Sequence, residues 1–487
     1  MTARLPRARD RRIRGATRSI VLVATLALAS RADAQAPPAS TPVPAGSQAP
    51  PPSGATPLPP QPTAFTEPTV SDPMLAPVPE APRQIQSWDE ALGMIRAQSP
   101  DYVTGYQSIL RAEAQKRVAL AAVLPILDVQ GSYAHQFYTA AFRIDQFNIV
   151  SPPPNLWTLN VGVNWAVVDP RSIYRVGTAG VNVDVTRLSF DSERRDIALS
   201  VIQTMLATLA GARVSEVNRV GLRSALERLA LTQTRQHFGQ GTALDVDRGQ
   251  QDVESARRLI IAGDEALLES REALGAALGS PVAISPPGDL DLDSFEVAVA
   301  KTCHLNEDID RRPDVEAASG RLEIAKRNVH EAELLFSPTL SVGSQFSENN
   351  VAVLGPTKTW DVQALLNVPL YDGGARYGVL RDARAAAEQA RQALVATRLN
   401  AIVGSAQAMR LVGVRQAARD VAKREVDLAK QIDDRTRSGY AQGLGTSLDL
   451  VTSAQALRQA EIDLAVLDFQ VAGARAAAVL TNAECLY

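Results

Sequence analysis

Trp157-Thr158-Leu159-Asn160-Val161-Gly162-Val163-Asn164-Trp165-Ala166-Val167 alternates from end to end. Trp157, Leu159, Val161, Val163, Trp165 and Val167 fall on one face and Thr158, Asn160, Gly162, Asn164 and Ala166 on the other, the period of two that marks a strand. An earlier run opposes Leu127, Val129, Gly131, Tyr133, His135 and Phe137 to Asp128, Gln130, Ser132, Ala134 and Gln136. Later, Leu340, Val342 and Phe346 oppose Ser341, Gly343 and Gln345, and Trp360, Val362, Ala364, Leu366, Val368 and Leu370 oppose Asp361, Gln363 and Asn367. The expectation is four strands in two hairpins, 126–168 and 339–370. Aromatic residues make up 5% of the chain, yet three of its four Trp lie in these strands. Trp near both ends of one strand, with aliphatics between, suits the aromatic girdles of a transmembrane β-barrel, and about ten residues suffice for a tilted span. Four strands cannot enclose a lumen, and an open edge in lipid leaves backbone groups unsatisfied. The barrel must therefore be shared, as eight strands from two chains or twelve from three.

The stretches around the hairpins are helical and too long for one globule. Pro170 to about Phe238 and Gly374 to Arg437 contain no interior Pro, giving two runs of about 65 residues, or about 100 Å of helix. Leu399, Ile402, Ala406 and Met409, then Val414, Ala417, Val421, Leu428 and Ile432, step by three, four or seven in a coiled-coil rhythm. A shorter helix precedes each hairpin and another follows each long run. The plan is written twice. Ser99-Pro100-Asp101 opens a helix ending at Leu124-Pro125, and Arg312-Pro313-Asp314 opens one ending at Ser337-Pro338 at the same interval. Gly241-Thr242 and Gly445-Thr446 mark equivalent reversals. These half-domains span 87–290, with a tip turn at 239–245, and 313–487, with a tip turn at 439–449, joined by a linker at 291–312.

The N-terminus has the pattern of an export signal over 1–34: Arg4, Arg7, Arg9, Arg11, Arg12, Arg14 and Arg18, an apolar core from Ile20 to Ala29, and Ala32-Asp33-Ala34 before Gln35. Residues 35–86 follow as a Pro-rich segment expected to be an extended, disordered linker. Removing the leader takes away eight Arg and two Asp, so the formal net charge moves from −3 to −9. That acidity argues against nucleic acid as a partner and suits a lumen favouring cations. Cys303 and Cys485 are the only cysteines. Either they pair in the oxidising compartment, since each follows the returning helix of its half, or they are unrelated thiols. His135, His237, His304 and His330 lack metal-ligand spacing, and neither a phosphate loop nor a nucleophile–base pair is present. No catalysis, cofactor or metal is expected.

Taken in order, these signatures resemble the TolC-type outer-membrane efflux proteins from Trp88 to Leu480. They include the duplicated Pro-Asp helix starts, Leu-Pro and Ser-Pro hairpin entries, and Val368-Pro369-Leu370-Tyr371-Asp372-Gly373-Gly374. Near the C-terminus they continue with Ser438-Gly439-Tyr440, Gly445-Thr446-Ser447-Leu448-Asp449-Leu450, Ala454-Gln455 and Ala460-Glu461. The resemblance implies an α+β membrane protein. It would be a homotrimer with a twelve-stranded barrel in outer-membrane lipid, a twelve-helix coiled-coil tunnel in the periplasm, and an equatorial belt over Ser280–Asn306 and the C-terminal residues. It implies a passive exit duct for an inner-membrane pump of RND or ABC type, joined through a periplasmic adaptor. Asp449 aligns with an aspartate of the family's constricting ring, with Asp245 its counterpart in the other hairpin; Thr452 stands where the family has a second ring carboxylate. Locally, Asp449 would also serve the cap formed by Thr446 or Ser447. Tyr440 matches a tyrosine that locks the closed tunnel, with Arg435 and Arg437 expected to pair with Asp245 or Asp247. Adaptor docking is expected at Gly239, Gly241 and Thr242 in one tip and Gly443, Gly445, Thr446 and Ser447 in the other, although the glycines also serve the reversal itself. A periplasmic coiled-coil adaptor is the rival reading, but it should carry one central hairpin between compact β-domains. The cargo, whether drug, metal ion or protein, is not written in the sequence of a duct.

Overall fold

The computed structural model describes residues 70–138, 154–288, 290, 292–305, 308–350, 357–481 and 483–485, all within the unit Thr66–Tyr487. The expected leader, and the Pro-rich segment as far as residue 69, lie outside the described residues. The elements are β1 (Arg83–Gln84), α1 (Trp88–Gln98), α2 (Pro100–Ala121), β2 (Ile126–His135), β3 (Asn155–Val168), α3 (Pro170–His237), α4 (Ala243–Ala277) and β4 (Ile284–Ser285). They continue with α5 (Leu292–Thr302), β5 (Cys303–Leu305), α6 (Pro313–Glu333), β6 (Thr339–Asn349), β7 (Lys358–Asn367), α7 (Ala375–Ala441), α8 (Ser447–Thr481) and β8 (Ala483–Cys485). The succession α2-β2-β3-α3-α4 recurs as α6-β6-β7-α7-α8.

The four long strands form one antiparallel sheet in the order β2-β3-β6-β7, so the two hairpins join through β3 and β6. Tyr133 lies opposite Trp157, Trp165 opposite Val342, and Phe346 opposite Trp360. Two aromatic pairs and one aromatic–aliphatic pair thus sit across neighbouring strands, where cross-strand contacts stabilise a sheet. β2 and β7 are its two outer strands. Below the sheet, α3 is flanked by α2 and α6, and farther on by α4 and α8, while α7 packs on α6 and then α8. The single helical layer therefore ends on one side with α2 and α4, beneath β2, and on the other with α7, beneath β7.

Both long helices start where the sequence forces a start. Asp169 caps α3 by accepting from Ser172 N at 3.2 Å, with Pro170 in the first turn, where its missing N–H is harmless. α7 follows Gly374, whose φ of 90° suits only glycine. They run for 68 and 67 residues, about 100 Å each. α7 passes Arg437 and Gly439 and ends at Ala441, so the second tip turn is shorter than expected from the sequence; the left-handed position falls on Gly443, at φ 80°.

Midway along the helices, short elements wrap a core. Ile85, Trp88, Leu92 and Ile95 pack with Val201, Ile202 and Met205 of α3, Leu274 of α4, Phe295 and Val299 of α5, and Ala476 and Leu480 of α8. β1 pairs in parallel with β4, and β5 pairs antiparallel with β8. The segment before β1 corrects the linker expectation for residues 70–86. Asp72 caps a one-turn 3-10 helix at Pro73–Leu75 and meets Arg257 of α4 at 2.8 Å, and Met74 and Leu75 pack on a second core around Leu222, Val253 and Ile260. Arg219 then donates to the Ala76 carbonyl at 2.8 Å and Arg271 to that of Pro79 at 2.7 Å. Three arginines hold the strap's oxygens, so proline richness does not prevent its order.

Candidate gate at the helical tips

Each long helix ends in the same way. Gly239 and Gly443 adopt φ of 71° and 80°. Gln240 N then bonds Arg235 O at 2.8 Å and Leu444 N bonds Gly439 O at 2.9 Å, the six-to-one closure that terminates a helix. A Cβ on Gly241 would meet Gln236 N at 3.2 Å, and one on Gly445 would meet Tyr440 N at 3.3 Å, so the reversal accounts for all four glycines.

The returning helices start with matching boxes. Asp245 Oδ2 accepts from Thr242 N at 3.0 Å and Thr242 Oγ1 at 2.8 Å, while Asp245 N donates back to Thr242 Oγ1 at 3.3 Å. Asp449 Oδ2 accepts from Thr446 N at 3.2 Å and Thr446 Oγ1 at 2.6 Å, and Asp449 N donates back at 3.2 Å. The Thr446 hydroxyl, and then its backbone N–H, hold the Asp449 carboxyl below the usual range, so this exposed group is anionic. Thr452 turns its hydroxyl back to the carbonyls of Leu448 and Asp449, at 2.9 and 3.1 Å.

Contacts centred on Ser447 and on Tyr440 join the tips to each other. Ser447, buried at the start of α8, donates its hydroxyl to Asp245 Oδ1 and is itself approached by Arg248 Nη1 at 3.3 Å. The Ser447 hydroxyl, followed by the Thr242 backbone N–H, depresses the Asp245 pKa. Tyr440, 4% exposed, lies beneath Arg235 of α3, whose guanidinium carbon is 4.6 Å from the ring centroid and whose Nη1 donates to the Tyr440 carbonyl. Burial pushes the Tyr440 hydroxyl above its ordinary pKa, Arg235 opposing and nearby Asp245 adding to the shift.

The expected arginine partners therefore need correction within the protomer. Arg437 lies one turn beyond Asp433 on α7 and pairs with it at 3.4 Å instead of reaching Asp245 or Asp247. Asp433 also accepts from Ser453 of α8 at 3.0 Å. Arg435 and Asp247 are exposed and have no ion pair among the described residues. The arginine that crosses between the hairpins to Tyr440 is Arg235, from the opposite half of the chain.

Farther up, a buried cluster ties α3 and α4 to α8. Arg228 meets Asp252 Oδ2 at 2.5 Å with side chains 6% and 1% exposed. Gln455 Nε2 donates to Asp252 Oδ1 at 3.1 Å, and Arg458 stands 4.0 Å from the same oxygen. Burial lowers the Arg458 pKa against the pull of Asp252, with a smaller push downward from Arg228. Sequence reasoning missed this cluster; the available signal was charge at positions that helical spacing sends inward. It also missed the apolar side chains left open at the tips: Phe238, Leu244, Leu444 and Leu448.

Most of the chain is similar to known proteins. The profile of the outer membrane efflux protein family matches residues 91–280 and 305–480, covering both halves and their strands. The pyoverdine export outer membrane protein OpmQ of Pseudomonas putida is 22% identical over 77% of this chain and 80% of its own. The nodulation protein T of Rhizobium leguminosarum bv. trifolii is 23% identical over 76% and 79%. Among solved structures, the Campylobacter jejuni CmeC outer membrane channel superposes with a TM-score of 0.69 at 14% identity, covering 81% of this chain and 84% of that one. The periplasmic adaptor reading finds no support in these matches. The chain belongs to the outer membrane efflux protein family, as a passive channel protein of the outer membrane with a periplasmic helical part, not an enzyme.

Proposed function

We propose that three copies of the chain close into one duct, a twelve-stranded barrel continued by a twelve-helix tunnel. Through it, an inner-membrane pump of RND or ABC type, joined by a periplasmic adaptor, drives export. The observation that carries this reading is that sheet and helical layer are open on the same two sides, β2 with α2 and α4 on one and β7 with α7 on the other. Joining unlike edges head to tail produces a ring once the rotation closes, and closure satisfies every strand edge in lipid. Apolar residues along α7 await that neighbour: Leu399, Ile402, Met409, Val414, Val421, Leu428 and Ile432 are all exposed in the single chain.

Asp449 would recur three times about the axis at the tunnel mouth, a ring that attracts cations and constricts the opening. Thr452 adds no second carboxylate, so the ring is a single layer. Leu244, Leu444 and Leu448, with Thr242 and Thr446 between them, give an adaptor's helical tip an apolar surface beside backbone turns, while buried Ser447 drops out of the expected docking set. Single-channel recording of the purified protein in planar bilayers, with Asp449→Ala alongside, tests the duct and the gate together. Small cation-selective steps that grow in the variant are expected; absence of any channel from folded trimers would overturn the reading.

A further inference from the structure

We propose that Cys303 and Cys485 form an intrachain disulfide that closes the entire second repeat into a covalent loop at the equatorial belt. β5 and β8 run antiparallel, and their register sets Cys303 opposite Cys485, His304 opposite Glu484 and Leu305 opposite Ala483. Directly opposed residues of an antiparallel pair have Cα atoms about 4.5–5.5 Å apart, inside the span of about 4.4–6.8 Å that a disulfide bridges without backbone movement. The chain has no other cysteine, so only one intrachain pairing exists.

The compartment follows from the outer-membrane reading, on which the proposal rests. β5 and β8 belong to the helical part, away from the four-stranded sheet, and that part faces an oxidising periplasm. Forming the Sγ–Sγ bond removes one proton and one electron from each thiol. The two electrons pass to a disulfide-bearing thiol oxidase of that compartment, whose own disulfide becomes a dithiol.

The position of the bond gives it a consequence. Cys303 precedes α6 and Cys485 follows α8, so the ring takes in α6, β6, β7, α7 and α8 and nothing of the first repeat. Leu480, at the end of α8, is fully buried in the equatorial core. A covalent tie a few residues beyond it keeps α8 from sliding along its axis or fraying from its C-terminus. Movement of the α7–α8 hairpin is then confined to the half nearest the tip.

The test is peptide mapping of full-length protein taken from the outer membrane, with thiols alkylated under denaturing conditions without reductant, and a bilayer recording of the same preparation. The expected result is one linked pair of peptides containing Cys303 and Cys485, lighter by two hydrogens than their sum and separated by dithiothreitol. In addition, thermal unfolding should shift downward on reduction in the natural protein and not in Cys303→Ser/Cys485→Ser. Quantitative alkylation of both cysteines without reductant, or linkage between chains only, overturns the proposal. If the thiols are free in a preparation that conducts, only the disulfide fails; a linked pair in a preparation without channels rejects the duct instead.

Discussion

Replacing Asp252 by Asn removes one negative charge from a cluster whose three charged side chains are at most 8% exposed. The carboxylate accepts from two sides, from Arg228 at 2.5 Å through Oδ2 and from Gln455 at 3.1 Å through Oδ1, with Arg458 at 4.0 Å. An amide has one acceptor oxygen, so one of those bonds is lost, and two buried guanidiniums remain with no anion between them. A charge pair at 4 Å is worth about 4 kcal/mol at an effective dielectric of 20, and breaking a buried pair costs about 3–5 kcal/mol. Partial hydration of the freed arginines offsets some of this, leaving about 3 kcal/mol, or more than a hundredfold in the local opening constant. Hydrogen exchange measured by mass spectrometry should show that acceleration in peptides spanning 250–260 and 452–462, and little change at 400–410. The triple variant Arg228→Met/Asp252→Leu/Arg458→Met removes the charges together and should exchange close to the natural rate, because packed apolar side chains substitute well for buried ions. Less than a threefold change in Asp252→Asn would refute the view that this cluster clasps α8 to the first hairpin.

At the tip, Arg235→Ala withdraws both the stacked guanidinium and the bond to the Tyr440 carbonyl, so channel openings should become more frequent; equal open probability in paired bilayer recordings would remove Arg235 from the lock. The Asp245–Ser447 bridge gives a pH dependence. Since the folded Asp245 pKa is depressed, mainly by the Ser447 hydroxyl, the bridge's contribution is complete above the ordinary carboxylate value of about 3.9 and is lost as pH falls through the lower folded value. Ser447→Ala removes the bridge at every pH, so its conductance should already be raised at neutral pH and lack the acid-induced rise expected of the natural protein; superimposable conductance–pH curves would count against the bridge.

What was legible in the sequence had local causes. Alternation over Trp157–Val167 fixes a strand whatever surrounds it, prolines at 170 and 313 fix where helices start, and paired Gly-Thr steps mark reversals that need a left-handed residue and a cap. Features held by distant residues were not legible. The strap before β1 shares the proline richness of the residues preceding it, and its order comes from Arg219, Arg257 and Arg271. Arg435 and Arg437 are expected from the sequence to reach Asp245 or Asp247 across the tips, but Arg437 pairs with Asp433 on its own helix, and the side chain above the Tyr440 ring comes from α3. Asp252 looked like one acidic residue among many on an Ala-rich helix; only the approach of α3 and α8 from two sides makes it a buried hub.

The two repeats are alike in plan and unlike in burial, and the difference bears on assembly. α3 buries 20 of its 68 residues within one chain, whereas α7, of nearly equal length, buries five of 67. The first long helix has neighbours on both sides: α2 and α4 on one, α6 and α8 on the other. The second has α6 and α8 on one side and, among the described residues, no helix packed along the other. A duplicated hairpin that closed on itself would have treated the two helices equally. On the proposed duct, the inequality corresponds to α7 finding its second neighbour in another copy, and β7 above it its second ladder. In the proposed trimer, each α7 meets α2 and α4 of the next chain, the same side-to-side arrangement that α3 makes inside a single chain. Six long helices then become near-equivalent around one axis, three of them set by folding and three by association. The contacts that distinguish them, the strap on α3–α4 and the Arg235–Tyr440 and Asp245–Ser447 links between hairpins, lie where that equivalence must break for the tunnel to open and close.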